Sequence, residues 1–316
     1  MRIEYHRTLI ADHVRLAAYR DALARVIRKG ETVVADIGTG TGILAFIAAK
    51  LGAKKVYAYE MAEIGAVAER LRALNRVRAV ELVPGRSTEI LDPPRADVVV
   101  TETLGNFALE ENLVETMNDA RARHLKPGGV LIPGSVEQFV CPVVAPRLYD
   151  DLAAWDRVGT AVGLEFDLSP ARVMSMNNVY IRTLRPDELL ERGAAARVWD
   201  SVDFKASNRL ARKGSGEWTF RSPATVYGLA IWWSAALGPD VTLATSPLGA
   251  PTHWEQLFFP ALEPIRLAAG EMLTAEIRTK TSEEAGTDIA WSLAVNGARG
   301  RERVRQAMSL AKGFLP

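Results

Sequence analysis

The stretch Asp36-Ile37-Gly38-Thr39-Gly40-Thr41-Gly42 constrains the fold of this chain more than any other. It follows Thr32-Val33-Val34-Ala35-Asp36, which reads as a short strand, and opens onto the helical run Ile43 to Leu51. Gly52 stands where a helix C-cap glycine stands. Glycines let a backbone turn tightly and approach a ligand without Cβ clashes. A strand, a glycine turn and a helix place that turn at the carboxyl end of a strand, where open α/β sheets bind ligands. Lys55 to Glu60 reads as the next strand, and its last residue, Glu60, is positioned to bond ribose hydroxyls.

The alternation continues. Ala62 to Leu74 is helical, Val80 to Val83 a strand, and Asp97 to Glu102 a strand whose Val98, Val99 and Val100 suit burial on both faces. Glu111 to Leu125 reads as a helix, Lys126-Pro127-Gly128-Gly129 as a turn, and Val130 to Ile132 as a strand. Ahead of the glycine turn, Leu16, Tyr19, Leu23, Val26 and Ile27 recur at helical spacing. Strands alternating with helices imply right-handed βαβ units and a parallel sheet.

The rest of the chain changes character. All seven Trp lie after position 150. Val198–Phe204, Trp218–Arg221, Thr225–Leu237, Val241–Ala244, Gln256–Phe259, Met272–Thr279 and Ile289–Val295 are β-rich and separated by Gly, Pro, Ser or Asp. They read as an antiparallel sandwich or barrel. Leu148 to Leu190 is mixed in pattern.

Two cofactors compete for the glycine turn. A dinucleotide fingerprint, G-x-G-x-x-G, would place its third glycine at Ile43. The spacing here is G-x-G-x-G, with an acid two residues before the first glycine. S-adenosylmethionine has no pyrophosphate to neutralise, and its ammonium suits a carboxylate such as Asp36.

Composition narrows the classes. The 39 Lys and Arg nearly balance 38 Asp and Glu, so global charge makes no case for nucleic acid or a membrane surface. Ser222 to Pro239 is the longest uncharged run, and its Gly and Pro residues leave an apolar core too short to span a bilayer. The first residues hold no apolar signal-peptide core. The single cysteine, Cys141, excludes a disulfide framework, reads as an inert core thiol and fits a cytoplasmic setting. His6, His13 and His124 lack metal-ligand spacing, so no metal is expected.

Four blocks together resemble the protein arginine methyltransferase family, from Tyr5 to about Asn296. The first is Tyr5-His6 with Leu9, Asp12, Val14-Arg15 and Tyr19. The second is the glycine turn through Gly52-Ala53-Lys54-Lys55-Val56 to Glu60. The third is Thr101-Glu102-Thr103-Leu104-Gly105-Asn106-Phe107-Ala108-Leu109-Glu110-Glu111, similar to the family's double-Glu hairpin. The fourth is Thr252-His253-Trp254, similar to its Thr-His-Trp loop. The resemblance implies a Rossmann-like class I methyltransferase domain over residues 1–135. It implies a β-barrel substrate and dimerisation domain over 136–316, with a dimerisation arm within 148–190 contacting a second copy through Trp155, Leu164 and Phe166.

The same resemblance implies roles. S-adenosyl-L-methionine is the cofactor, and S-adenosyl-L-homocysteine the product. Arg15 pairs with the cofactor carboxylate, Asp36 and Gly38 line its methionine end, and Glu60 holds the ribose. His6, Gly40, Gly42, Leu44, Ser87, Thr88 and Glu102 complete the cofactor set. Glu102 and Glu111 grip a substrate guanidinium beside Trp254, and His253 pairs with Asp12 to accept or relay a proton. The partner is an arginine-containing protein or peptide, free arginine or another guanidino compound, and the assembly a homodimer.

Residue chemistry is compatible with these roles. A guanidinium is planar, always protonated and carries five donors, so two carboxylates can hold it and orient one nitrogen. Acids at strand ends and helix starts also occur for helix-dipole reasons alone. The chain departs from the family in places. It begins almost at the Tyr-His block, so the N-terminal lid is short or absent. The hairpin reads Thr103-Leu104-Gly105-Asn106 where aromatics and Met are usual, and Leu9 stands in place of a Met. Thr88 stands where a Glu is frequent, and Glu110 replaces an aromatic and reads as solvated or as a supporting group. Two alternatives follow: an N- or O-methyltransferase of another small metabolite, and a non-catalytic cofactor-binding scaffold.

Overall fold

The computed structural model describes residues 3–161, 163, 166–282, 286–297 and 301–313. Two helices come first, α1 (Ile3–Ala11) and α2 (His13–Val26). Asp12 separates them as the N-cap of α2, its Oδ1 accepting from Arg15 N at 2.9 Å. This satisfies one of the donors that a helix start leaves free. The periodic residues of α2 behave as their spacing requires: Tyr19 and Leu23 are buried against the sheet, and the Tyr19 hydroxyl donates to Thr101 O at 3.0 Å.

A five-stranded parallel sheet follows: β1 (Val33–Ile37), β2 (Lys55–Glu60), β3 (Val80–Pro84), β4 (Ala96–Thr101) and β5 (Leu125–Ile132), in spatial order β3-β2-β1-β4-β5. Helices α3 (Ile43–Lys50), α4 (Gly65–Leu74) and α5 (Leu113–Asp119) connect its strands. Strand order reverses at β1, which lies between β2 and β4, and such a reversal opens a crevice at the strands' carboxyl ends. The valines of β4 are fully or nearly fully buried, as a central parallel strand requires.

The antiparallel part contains β6 (Ser135–Val143), β7 (Tyr180–Arg182), β8 (Arg197–Asp203), β9 (Ala211–Thr219), β10 (Ala224–Gly238), β11 (Val241–Ala244), β12 (Gln256–Leu267), β13 (Met272–Ser282), β14 (Gly286–Asn296) and β15 (Glu302–Ser309). One sheet runs β7-β12-β10-β6-β8, with β11 on β10, and the other runs β15-β14-β13-β9. Side chains stitch their facing edges into a barrel-like enclosure. Gln306 and Glu263 exchange two bonds between β15 and β12, and Arg212 of β9 chelates Asp200 of β8 through two bonds of 2.6 Å. Phe259 of β12 packs on Trp291 of β14 across the two sheets, ring centroids 5.1 Å apart, and Trp233 and Phe258 are buried as well.

Between β6 and β7 lie three short helices, α6 (Arg147–Leu152), α7 (Trp155–Ala161) and α8 (Ser169–Met176), which resolve the mixed pattern there. Trp155 Nε1 donates to Ser175 Oγ at 2.8 Å and ties α7 to α8. Phe166 is 69% exposed and Trp155 38%, while Leu164 lies outside the described residues.

Three expectations need correction. The helix expected over Glu111–Leu125 starts at Leu113, because Glu111 and Asn112 take left-handed backbone conformations, and it widens into a π-turn at Ala120–His124. The expected Lys126–Gly129 turn is a bulge within β5: pairing jumps from Ala96 with Leu125 to Val98 with Val130. Strand β4 ends at Thr101, so Glu102 is the first residue beyond it. Among the described residues no helix is long and apolar enough to cross a membrane.

Candidate active site

A cavity of about 460 Å³ opens at the carboxyl ends of β1, β2 and β4. Its floor is the glycine turn, one wall is α1, and the opposite wall is the segment after β4 together with His253-Trp254.

Gly38, Gly40 and Gly42 have φ of 71°, 57° and 86°, the left-handed region that glycine enters without a Cβ penalty. The turn is pinned to the neighbouring strand. Gly38 N and Thr39 N donate to Tyr59 O at 3.0 and 2.9 Å, and Gly40 N donates to Glu60 Oε2 at 2.8 Å. Ala62 N donates to Glu60 Oε1 at 2.8 Å, so both oxygens of this carboxylate are held by backbone donors. Asp36 is 1% exposed. Its Oδ2 accepts from Thr39 Oγ1 at 2.5 Å, but its buried Oδ1 has no partner. Burial pushes the Asp36 carboxyl up to about 6. Leu44 lies in the cavity wall, and His6 of α1 approaches the turn at Gly40. Ser87 and Thr88 line the far end on a short 3-10 turn after β3. That turn is strapped from behind, since Ser87 O takes contacts from Arg123 Nη2 at 2.9 Å and His124 Nε2 at 3.1 Å.

Arg15 and Glu102, both expected in the cofactor set and Glu102 also on the substrate, meet each other. Arg15 Nε donates to Glu102 Oε2 at 2.7 Å, Nη2 reaches the same oxygen, and Nη1 donates to Leu9 O at 2.6 Å. Both side chains are buried. Burial pushes the Glu102 carboxyl up to about 7, with Arg15 opposing that rise and Glu111 adding to it.

Residues 102–112 form a tight hairpin in which Gly105 and Ala108 pair as an isolated antiparallel bridge. Ala108, Glu111 and Asn112 have φ of 62°, 56° and 59°, conformations that are unfavourable for non-glycine residues. Contacts from the barrel hold them there. Trp233 Nε1 donates to Gly105 O at 3.0 Å, Trp254 Nε1 donates to Leu104 O at 2.9 Å, and Asn106 Oδ1 accepts from Glu255 N at 3.1 Å. Glu111 stands at the cavity rim, exposed on its outer side, and its carboxyl is raised by the atoms that crowd its inner side and by Glu60. Glu110, expected to be solvated or supporting, folds back over the hairpin. A Cβ at Gly105 would fall onto Glu110 Oε2 and lie 2.6 Å from its Cβ.

His253 completes the wall. Its Nδ1 and its backbone N both lie 2.8 Å from Asp12 Oδ2. Burial raises the Asp12 carboxyl, but the backbone N–H groups of Arg15 and His253 outweigh it and leave the group below the ordinary range. Burial lowers the His253 pKa, with Asp12 opposing. A neutral ring follows, with Nδ1–H directed to Asp12 and Nε2 left as an acceptor.

Comparison with known proteins places this geometry. Residues 18–136 match a family model described as "Ribosomal protein L11 methyltransferase (PrmA)". Residues 137–297, just over half the chain, match one described as "Arginine methyltransferase oligomerization subdomain". This chain belongs to the protein arginine methyltransferase family. Protein arginine N-methyltransferase 6 of Xenopus tropicalis is 28% identical over 292 residues, covering 89% of this chain and 85% of the relative. Protein arginine N-methyltransferase 1 of Schizosaccharomyces pombe is 28% identical, covering 91% and 86%. The solved structure of the Trypanosoma brucei PRMT1 enzyme-prozyme heterotetrameric complex with AdoHcy shares the fold, with a TM-score of 0.85, 24% identity and 98% coverage of both chains.

In this arginine methyltransferase the expected residues Asp12, Arg15, Asp36, Glu60, Glu102, Glu111, His253 and Trp254 come to one crevice from both parts of the chain. Sequence reading missed others. Tyr5 lines the cavity and its phenol is raised by burial and by Glu111 and Glu102, although only its place in the Tyr-His block marked it. Met61 is 62% exposed beside Glu60, and Thr103 and Asn106 face the cavity from the hairpin. Trp233 carried no local signal, because its importance lies in the distant carbonyl that it binds.

Proposed function

We propose that the chain is an S-adenosyl-L-methionine-dependent N-methyltransferase acting on a guanidino nitrogen of arginine in a protein or peptide. The observation that carries the reading is the union of three groups in one crevice: the Asp36–Gly42 turn, the Glu102/Glu111 hairpin and the Asp12–His253 pair. The residues fit the cofactor. The turn leaves room where side chains would intrude, and the orphan Asp36 Oδ1 is a buried acceptor suited to an ammonium. Glu60 presents both oxygens already oriented by backbone N–H groups, as ribose binding needs. Arg15, on this reading, keeps Glu102 while offering its remaining N–H groups to the cofactor carboxylate. When bound, the cofactor supplies an electrophilic methyl on a sulfonium.

The remaining work falls to the chain. Arg15 takes only Oε2 of Glu102, so Oε1 is the oxygen for a guanidinium, with Glu111 approaching from the rim. Two carboxylates localise positive charge away from the third nitrogen and aim it, and positioning of this kind supplies much of the rate in a displacement. His253 Nε2 accepts the proton that the alkylated nitrogen sheds, and Asp12 stabilises the imidazolium that results. Exposed Trp155 and Phe166 on the α6–α8 arm suit a homodimer contact, which a concentration series by light scattering tests.

The functional test is label transfer read by mass spectrometry. The protein and labelled S-adenosylmethionine meet an Arg-Gly-rich peptide, free L-arginine and a guanidine-free metabolite extract in parallel. Label on a guanidino nitrogen of the peptide is expected. Label confined to the guanidine-free pool removes the substrate assignment, and label on free arginine alone moves it to a small molecule.

A further inference from the structure

The double-Glu hairpin is held from two sides, and only one of them belongs to the barrel. The indoles of Trp233 and Trp254 take the carbonyls of Gly105 and Leu104. On the other side the Glu110 side chain lies against Gly105, so closely that any Cβ there would overlap it. Burial pushes the Glu110 carboxyl up, and the nearby backbone N–H groups of Phe107 and Asn106 oppose that rise. The hairpin has only a single bridge, Gly105 with Ala108, and carries residues in left-handed conformations, so its shape depends on side-chain contacts as well. Glu110 immediately precedes Glu111, whose φ of 56° sets where its carboxylate emerges.

We propose that Glu110 is a positioning residue for the methyl-transfer reaction: it clamps the inner face of the hairpin and so fixes the stance of Glu111 opposite Glu102. It lines the cavity, and in this role it acts through Glu111. A carboxylate suits the task because one acceptor-rich group can take two backbone donors at once, where an apolar side chain would leave both unpaired. The inference rests on the guanidinium-binding reading of the hairpin.

The test is a paired series, Glu110→Ala and Glu110→Gln, with kcat, KM for an arginine peptide, cofactor Kd and Tm measured on the full chain. The Ala variant should lose about 10- to 100-fold in kcat/KM for the peptide, while cofactor Kd stays within about twofold, since the hydrogen bonds of the glycine turn run to Tyr59 O and Glu60 and none to Glu110. The Gln variant keeps an acceptor oxygen and should recover to within about fivefold of the parent. Recovery by Gln with unchanged cofactor binding supports the clamp. An Ala variant within twofold of the parent overturns it, as does a Gln variant as impaired as Ala or a loss shared equally by cofactor Kd. If the parent itself labels no guanidino nitrogen, the functional reading fails rather than the clamp. In that case the clamp is tested by hydrogen exchange at the Asn106 and Phe107 amides, which should accelerate in Glu110→Ala and not in Glu110→Gln.

Discussion

The crevice is bounded by two turns built on opposite principles. The Asp36–Gly42 turn reaches the left-handed region with glycines, and its ties run to the adjacent strand through Tyr59 O and Glu60. The 102–112 hairpin reaches the same region with Ala108, Glu111 and Asn112, and is held by Trp233, Trp254, Glu255 and Glu110. A left-handed L-residue costs roughly 1–2 kcal/mol. The first turn is therefore shaped by its own sequence, and the second by what packs on it. The cofactor side should tolerate damage to the barrel, and the substrate side should not.

The largest effect that would sharpen this contrast is expected from Glu102→Gln. Gln keeps an acceptor for Arg15 but removes the charge from the substrate side, so kcat should fall by about 10²–10³, the scale seen when one preorganised charge-stabilising group is lost. Cofactor Kd, read by calorimetry, should move only a few-fold; an equal loss in both would merge the two sides. Gly40→Val makes the opposite cut. A β-branched residue at φ 57° should weaken cofactor binding at least about 30-fold and lower Tm by only a few degrees. Normal cofactor binding in that variant would make the turn a structural element only.

The pH dependence separates the two sides at smaller amplitude. Glu102 must be ionised to hold a guanidinium, and its pKa is raised to about 7, so it gains a proton as pH falls through that value. The ratio kcat/KM, which reports the free enzyme, should drop about tenfold per unit below pH 7. His253 is shifted the other way, below its ordinary value, because burial disfavours its charged form. His253→Ala should thus lower the plateau without moving the limb near 7. A limb near the ordinary carboxylate value would mean that Glu102 is open to water. The smallest effect belongs to Trp254→Phe, which removes one hydrogen bond to Leu104 O, about 1 kcal/mol or roughly fivefold in kcat. A matching change in cofactor affinity would show that the hairpin and the glycine turn are coupled after all.

The same contrast explains what the sequence reveals. Lys55–Glu60, the buried valines of β4 and the glycine turn were legible because local patterning and burial agree there. Cys141 was legible as a core thiol, and burial indeed raises it to about 12. The start of α5 was not, since Glu111 and Asn112 look helical until the hairpin claims them. Strand β6 escaped because Pro142 argues against a central strand, yet it pairs with Leu229 inside the six-stranded sheet. Strand β15 escaped through its exposed charges, and Glu110 because nothing local says which way a lone acid folds. The site residues themselves were legible through four separated motifs, whereas the Arg15–Glu102 contact and the indole clamps needed three dimensions.

The Asp12–His253 contact joins residues 241 positions apart. During synthesis on a ribosome, the glycine turn and its parallel strands leave the exit tunnel long before His253 exists. Asp12 waits through most of the chain's translation for its imidazole, and the hairpin waits for Trp233 and Trp254. A growing chain, or one truncated by a premature stop, can thus hold an intact nucleoside-type turn while lacking its proton acceptor and a shaped guanidinium site. On the proposed roles, chemistry waits for the segment that carries His253 and Trp254, so shorter molecules remain silent toward the arginines of neighbouring proteins.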